Sequence, residues 1–217
     1  MLDLFLLSLD WFGTAVFAVT GALTASRKRM DITGFMLLGA ATGIGGGSLR
    51  DVMLGALPVF WVREPVYLGI CIAVAAATFA LAHIPESRYR ALLWLDAAGL
   101  ALFCVVGAEK ALIAGAGGFI AVAMGVVTAT VGGAIRDLLG GESPLILRKE
   151  IYATAALAGA FAYVVLAALG VPKAVAAFVG FAACFVIRAL ALRYGWSLPV
   201  YRPRKGRSAE EVERMGR

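Results

Sequence analysis

The sequence predicts an all-α integral membrane protein: seven transmembrane helices, arranged as two inverted three-helix repeats followed by a seventh helix. Three observations carry this expectation. Of 217 residues, 61% are hydrophobic and 16% charged, against roughly 45–50% and about 25% in an ordinary soluble domain. Several apolar runs approach or exceed the roughly 20 residues with which a helix crosses a hydrocarbon core. The chain also aligns with itself, without gaps, at an offset of 86 residues: between 10–64 and 96–150, 17 of 55 positions are identical.

Charged or Gly/Pro-rich interruptions delimit spans at 4–25, 32–57, 66–82, 92–112, 119–139, 151–169 and 174–192. In lipid, runs of this length satisfy their backbone groups only as helices. Each copy of the repeat holds three spans, so the second copy enters the membrane from the opposite side, about an axis in the membrane plane. The expected organisation is one domain over 1–198, with repeat one at about 4–84, repeat two at about 90–170 and the seventh span at about 174–192. A basic cytoplasmic tail, 199–217, follows. The N-terminus lacks the basic region of a secretory signal, so the first span is expected to be retained.

Arg27, Lys28, Arg29, Arg88, Arg90, Arg148, Lys149 and the tail residues Arg202, Arg204, Lys205 and Arg207 collect on one side of the predicted membrane. The other side has Arg63, Lys110 and Lys173. The positive-inside bias then predicts a multi-pass cell-membrane protein with its N-terminus outside and its C-terminus in the cytoplasm. These loops and the tail account for the net charge of +6, so membrane lipids are expected neighbours and nucleic acid is not. Cys71, Cys104 and Cys184 stand apart in apolar runs, as buried core residues do, with no pattern of a disulfide framework or zinc site.

The most informative stretch is 39–58, GAATGIGGGSLRDVMLGALP, and its copy 125–144, GVVTATVGGAIRDLLGGESP. Gly46, Gly47, Arg50, Asp51, Gly55 and Pro58 recur as Gly132, Gly133, Arg136, Asp137, Gly141 and Pro144. Glycine inside a helix costs about 1 kcal/mol relative to alanine. Two uses compete: a small-residue stripe (Gly39, Gly43 and Gly47; Gly125, Ala129 and Gly133) that lets helices approach, or a break at Gly45, Gly46 and Gly47 and at Gly132 and Gly133 that turns carbonyls toward a polar path. Consecutive glycines followed by Arg-Asp in both copies favour the break.

Arg50, Asp51, Arg136 and Asp137 each cost about 2.5–3.5 kcal/mol at the centre of a span and must be paired or wet. Neighbours on a helix point about 100° apart, so pairing across spans is expected: Asp10 with Arg50 and Asp96 with Arg136. Such pairs either only hold the bundle together or bound the two mouths of an ion path, in which case Asp51 and Asp137 face water. The hydroxyls of Thr42, Ser48, Thr128 and Thr130 either ligate a dehydrating monovalent cation or bond a carbonyl one turn back. Glu109 and Lys110, without charged counterparts in the first copy, read as an interfacial pair at a span end. Nothing resembles a nucleophile triad, a metal cluster or a P-loop, so neither enzymatic activity nor a cofactor or resident metal is expected.

The paired motifs, GxGGGSLRDVMLG in the second span and GGAIRDLLGGESP in the fifth, resemble the prokaryotic branch of the trimeric intracellular cation channel family, sequences also filed under a domain name that suggests glycine transport. The resemblance implies a homotrimer with a separate pore in each protomer, conducting mainly potassium, and an extracellular N-terminus. It also implies second and fifth spans bent at Gly45, Gly46, Gly47, Gly132 and Gly133; Val131 stands where the three-glycine form has its first glycine. On this reading the ions, potassium or sodium, pass Thr42, Gly45, Gly46, Gly47, Ser48, Asp51, Thr128, Thr130, Gly132, Gly133 and Asp137. The alternatives are a secondary transporter of a small solute such as glycine, or a lipid-binding scaffold whose repeats merely pack.

Overall fold

A computed structural model describes residues 2–83, 87–148, 150–199, 206 and 214–215, with side chains from residue 7 onward. Most of the predicted tail, and Lys149, lie outside the described residues. The helices are α1 (Leu2–Arg27), α2 (Ile32–Met53), a short α3 (Phe60–Arg63), α4 (Val66–Leu81), α5 (Arg88–Ile113), α6 (Gly118–Leu139), α7 (Ala153–Ala168) and α8 (Lys173–Tyr194), with a 3-10 turn at Leu145–Leu147. Shifted by 86 residues, α1 falls on α5 and α2 on α6 to the residue, and α4 falls on α7 within one. Five helices (α1, α2, α5, α6 and α8) are long and apolar enough to cross a membrane, and α4 and α7 are shorter apolar helices of 16 residues.

Local chemistry sets the ends. The Asp31 side chain accepts from Gly34 N at 2.8 Å and opens α2. Ser87 accepts from Arg90 N at 3.3 Å and opens α5. Beyond α2 and α6 the chain turns back at Gly55 and Gly141, with φ of +67° and +66°. A side chain is strained in that left-handed conformation. In both copies the residue after the glycine closes the turn, Ala56 N donating to Asp51 O and Glu142 N to Asp137 O, each at 2.8 Å.

Charged side chains are fully buried among the apolar core, while large apolar side chains stand on the exterior. Arg50, Arg136 and Arg188 are 1%, 0% and 1% exposed, while Phe119 is 85% and Phe178 70% exposed. A soluble protein would reverse this, because only a lipid surround leaves large apolar side chains at no cost on the outside. This is a multi-pass membrane protein.

The halves meet across a pseudo-two-fold axis. Phe17 and its equivalent Phe103 pack edge-on at 5.0 Å between centroids, each ring lying over the other half's Gly99 or Gly13. The α2–α6 crossing is reciprocal as well. A Cβ on Gly46 would come 2.1 Å from Thr128 O, and one on Gly132 would come 2.4 Å from the equivalent Thr42 O. Helix α8 packs against α5 and α7, outside the symmetry.

The crossing corrects the expected break. Both α2 and α6 run as continuous helices through Gly45, Gly46 and Gly47 and through Gly132 and Gly133. Their glycines serve close approach: Gly46 and Gly132 bring the two backbones into contact, while Gly39 and Gly43 seat α2 against Ala75 and Cys71 of α4. The packing use, weighed second in the sequence, is the one the fold adopts.

Candidate functional site

Each half carries a buried cluster around its Arg-Asp pair, built on the same backbone and wired differently. In the second half, Arg136 Nη1 donates to Asp96 Oδ1 at 2.6 Å and to Thr20 Oγ1 at 3.1 Å. This is the interhelical pair expected from the spacing. Arg136 Nε also donates to Asp137 Oδ1 at 2.8 Å, and Asp137 Oδ2 accepts from Leu145 N at 2.9 Å.

In the first half the expected Asp10–Arg50 pair does not form. Arg50 Nε and Nη2 donate to Asp51 Oδ1 at 2.9 and 2.7 Å, and Asp51 Oδ2 accepts from Phe60 N at 2.8 Å. Asp10 Oδ2 accepts instead from Lys110 Nζ at 2.5 Å and from the Tyr67 hydroxyl at 2.7 Å. The reason is the asymmetry of the repeat. Lys110 replaces Thr24 of the first copy, and its long stem crosses from α5 to neutralise Asp10, with Nζ 5.1 Å from the Phe60 ring centroid.

Two further expectations are corrected. Asp51 and Asp137 do not face water: both are 4% exposed. Each holds the adjacent Arg with one oxygen and the returning loop with the other, an arrangement that adjacency on a helix disfavours but a long guanidinium arm folding back allows. Nor are Glu109 and Lys110 a pair at an interface. Glu109 is buried and accepts from the Tyr163 hydroxyl and from Lys173 Nζ, the latter at 2.6 Å.

An Asp137→Ala change is expected to leave both Leu145 N and Arg136 Nε short of an acceptor. Amide exchange at Leu145 should then rise roughly tenfold or more, the consequence of losing a bond to a charged group of about 1.5–3 kcal/mol; an unchanged rate would contradict this assignment.

The hydroxyls all bond back one turn: Thr42 to Leu38 O and Thr128 to Met124 O at 2.6 Å, Ser48 to Ile44 O at 2.7 Å and Thr130 to Val126 O at 2.8 Å. Ser48 Oγ also accepts from Trp61 Nε1 at 2.9 Å. Their donor is used, yet each oxygen keeps lone-pair capacity for a further donor or cation.

Polar space opens at the first half's charged end. A cleft of about 310 Å³ is lined by Arg50, Asp51, Phe60, Glu64, Tyr67 and Lys110 among others. A second, of about 220 Å³, shares Glu64, Tyr67 and Lys110 and reaches Asp10 and Glu109. Sequence reading missed Tyr67 and Lys110 as partners of Asp10, and it passed over Arg188 altogether. Arg188 Nη2 donates to Glu150 Oε2 at 2.7 Å and Nη1 to Ile151 O at 3.1 Å. A single arginine in the apolar run 174–192 was the available signal.

An apolar shell around charges shared between two inverted halves defines a polytopic membrane protein made by internal duplication. Comparison with known proteins places it further. The family model described as "Glycine transporter" matches twice, over 7–83 and 93–168, once for each half. A UPF0126 membrane protein of Vibrio cholerae is 44% identical over 89% of this chain and 81% of its own length. The UPF0126 inner membrane protein YadS of Escherichia coli K12 is 43% identical over 89% and 94%. Among solved structures, the trimeric intracellular cation (TRIC) channel orthologue of Rhodobacter sphaeroides is 63% identical, with a TM-score of 0.86 over 88% of this chain and 98% of that one. A prokaryotic TRIC channel in 0.5 M KCl is 31% identical, with a TM-score of 0.83 over 90% and 100%. The chain belongs to the TRIC channel family and is matched in both halves by the "Glycine transporter" model.

Proposed function

We propose that this protein is a monovalent-cation channel, conducting mainly potassium, with one pore in each protomer of a homotrimer. The observation that carries this reading is the likeness, over nearly the whole chain, to structures of TRIC cation channels, at 63% identity in one case. In this reading the pore domain is 1–198, the N-terminus is outside and the C-terminus is cytoplasmic. Helices α4 and α7 span as well, since 16 residues at 1.5 Å each give about 24 Å and the short turns at Phe60–Arg63 and Leu145–Leu147 extend their ends.

The path follows the α2–α6 crossing, past Thr42, Gly45, Gly46, Gly47 and Ser48 on one helix and Thr128, Thr130, Gly132 and Gly133 on the other. Hydroxyl oxygens and carbonyls serve there as weak, releasable ligands. Asp51 and Asp137 shape the field from either end, each through its neighbouring arginine. Because the crossing is packed backbone to backbone, conduction requires α2 and α6 to part.

The cleft at Lys110 then forms the outer mouth. Its ammonium opposes cation entry there and masks Asp10. Lys110→Met should raise unitary potassium conductance several-fold at low ionic strength and much less at high salt, where screening removes the effect. Conductance that is unchanged at low salt would take Lys110 off the entry route. For the function as a whole, the test is planar-bilayer recording on purified protein under a potassium gradient. Unitary currents that reverse near the potassium equilibrium potential are expected. Silence in the bilayer, together with saturable, gradient-coupled glycine uptake into proteoliposomes, would replace the channel with a transporter.

A further inference from the structure

The two halves share a backbone but differ in how their polar groups are satisfied. Among the described residues, three buried side-chain atoms without a hydrogen-bond partner within the protein lie in the second half, Asp96 Oδ2, Arg136 Nη2 and Tyr152 OH, and a fourth, Arg188 Nε, lies on α8. Their residues are between 0% and 1% exposed. An unsatisfied buried polar atom is costly, more so when charged, so several together mark a place where something else completes the bonds.

Gly133 locates that place. A Cβ built on it would meet Tyr152 OH at 2.8 Å, Asp96 Oδ1 at 3.3 Å and Arg136 Nη2 at 3.5 Å. Three polar groups thus converge on the α6 backbone at Gly133, closer than a side chain there would allow. The first half is the built-in control. At the equivalent Gly47 the same direction meets the Phe60 ring at 2.6 Å, and neither Asp10 nor Arg50 has a buried atom without a partner. The second half has Ile146 where Phe60 stands, 39% exposed, and the Tyr152 hydroxyl takes the place of the apolar ring beside the glycine.

We infer that the second half holds a buried water molecule beside Gly133, accepting from Arg136 Nη2 and bridging Asp96 Oδ2 to the Tyr152 hydroxyl. The chemistry selects water. The guanidinium donor aimed into the site repels a cation, and the free carboxylate oxygen repels an anion. A small neutral molecule that both accepts and donates satisfies all three groups, and a buried water with two to four polar partners is an ordinary component of a folded protein. Arg188 lies over the Tyr152 ring, with Cζ 5.2 Å from its centroid, and is the positioning residue that holds the hydroxyl at the site. The water ties the segment before α7 to the Asp96–Arg136–Asp137 network, and Gly133 then belongs to the wall of the path rather than to its lumen.

This inference does not depend on whether the protein conducts. Its test is a structure in thallium salt, fine enough to show ordered water. A peak bonded to Arg136 Nη2, Asp96 Oδ2 and Tyr152 OH, without anomalous signal, is expected. An anomalous peak there would make it a cation site, and no peak while other internal waters are visible would make it dry; either result overturns the inference. In solution, Tyr152→Phe should lower Tm by about 2–6 °C, and so should Gly133→Ala. Should Gly133→Ala fail to fold, the thallium structure decides alone.

Discussion

Replacing Arg136 by methionine should destabilise the protein by about 3–5 kcal/mol, a drop in Tm of roughly 6–20 °C in detergent. The change takes the cation from two buried carboxylates at once, Asp96 at 0% and Asp137 at 4% exposure. The equivalent Arg50→Met should cost distinctly less. Asp10 keeps Lys110 and Tyr67, Asp51 keeps the Phe60 amide, and the cleft beside them admits solvent. Adding Asp96→Asn to Arg136→Met should recover part of the loss, since the charge left behind, rather than the missing bond, is the larger penalty. Thermal denaturation of the three variants followed by size-exclusion fluorescence measures this. Equal losses for Arg50→Met and Arg136→Met would contradict the asymmetry between the halves.

The second large effect lies at the crossing. Gly46→Ala and Gly132→Ala place a methyl group 2.1 and 2.4 Å from a backbone carbonyl of the opposite helix. A backbone atom cannot swing aside as a side-chain tip can, so α2 and α6 must separate along their length. Overpacking of this kind costs about 1–3 kcal/mol and occasionally more. Gly69→Ala, on α4, is the matched control: nothing lies within 4 Å of its Cβ, and the gain in helix propensity is up to about 1 kcal/mol. Expected melting temperatures therefore fall for the first two and hold or rise for the third. If Gly46→Ala melts like Gly69→Ala, the close contact is not formed in the membrane.

The repeat was the most legible feature. Seventeen identities at one offset were enough to place the halves, and the helix ends of α1 and α5, and of α2 and α6, coincide under that shift. Asp96–Arg136 was legible too, because it depends only on depth along two adjacent spans. Asp10–Arg50 was not, for a physical reason: Lys110 arrives from the other half, and pairing between halves depends on their docking, which depth along a span does not encode.

The glycines misled in a related way. Helix propensity says what a glycine costs its own helix, while Gly46 and Gly132 are explained by the carbonyl of a helix some 86 residues away. Arg188 sat outside the repeat, where no copy drew attention to it. The halves diverged in how they satisfy the same buried charges: Asp10 takes a lysine and a tyrosine hydroxyl, whereas Asp96 pairs directly with the arginine of its own half.

The Phe17–Phe103 contact has a bearing on ancestry. A residue that touches its own equivalent is the mark of a self-complementary two-fold assembly, and here both participants belong to one polypeptide. Such a seam is what two identical three-helix units would present if they inserted in opposite directions and paired before their genes were fused. A substitution at that position would then have acted on both sides of the seam at once. Only after fusion were the two sides free to acquire different neighbours.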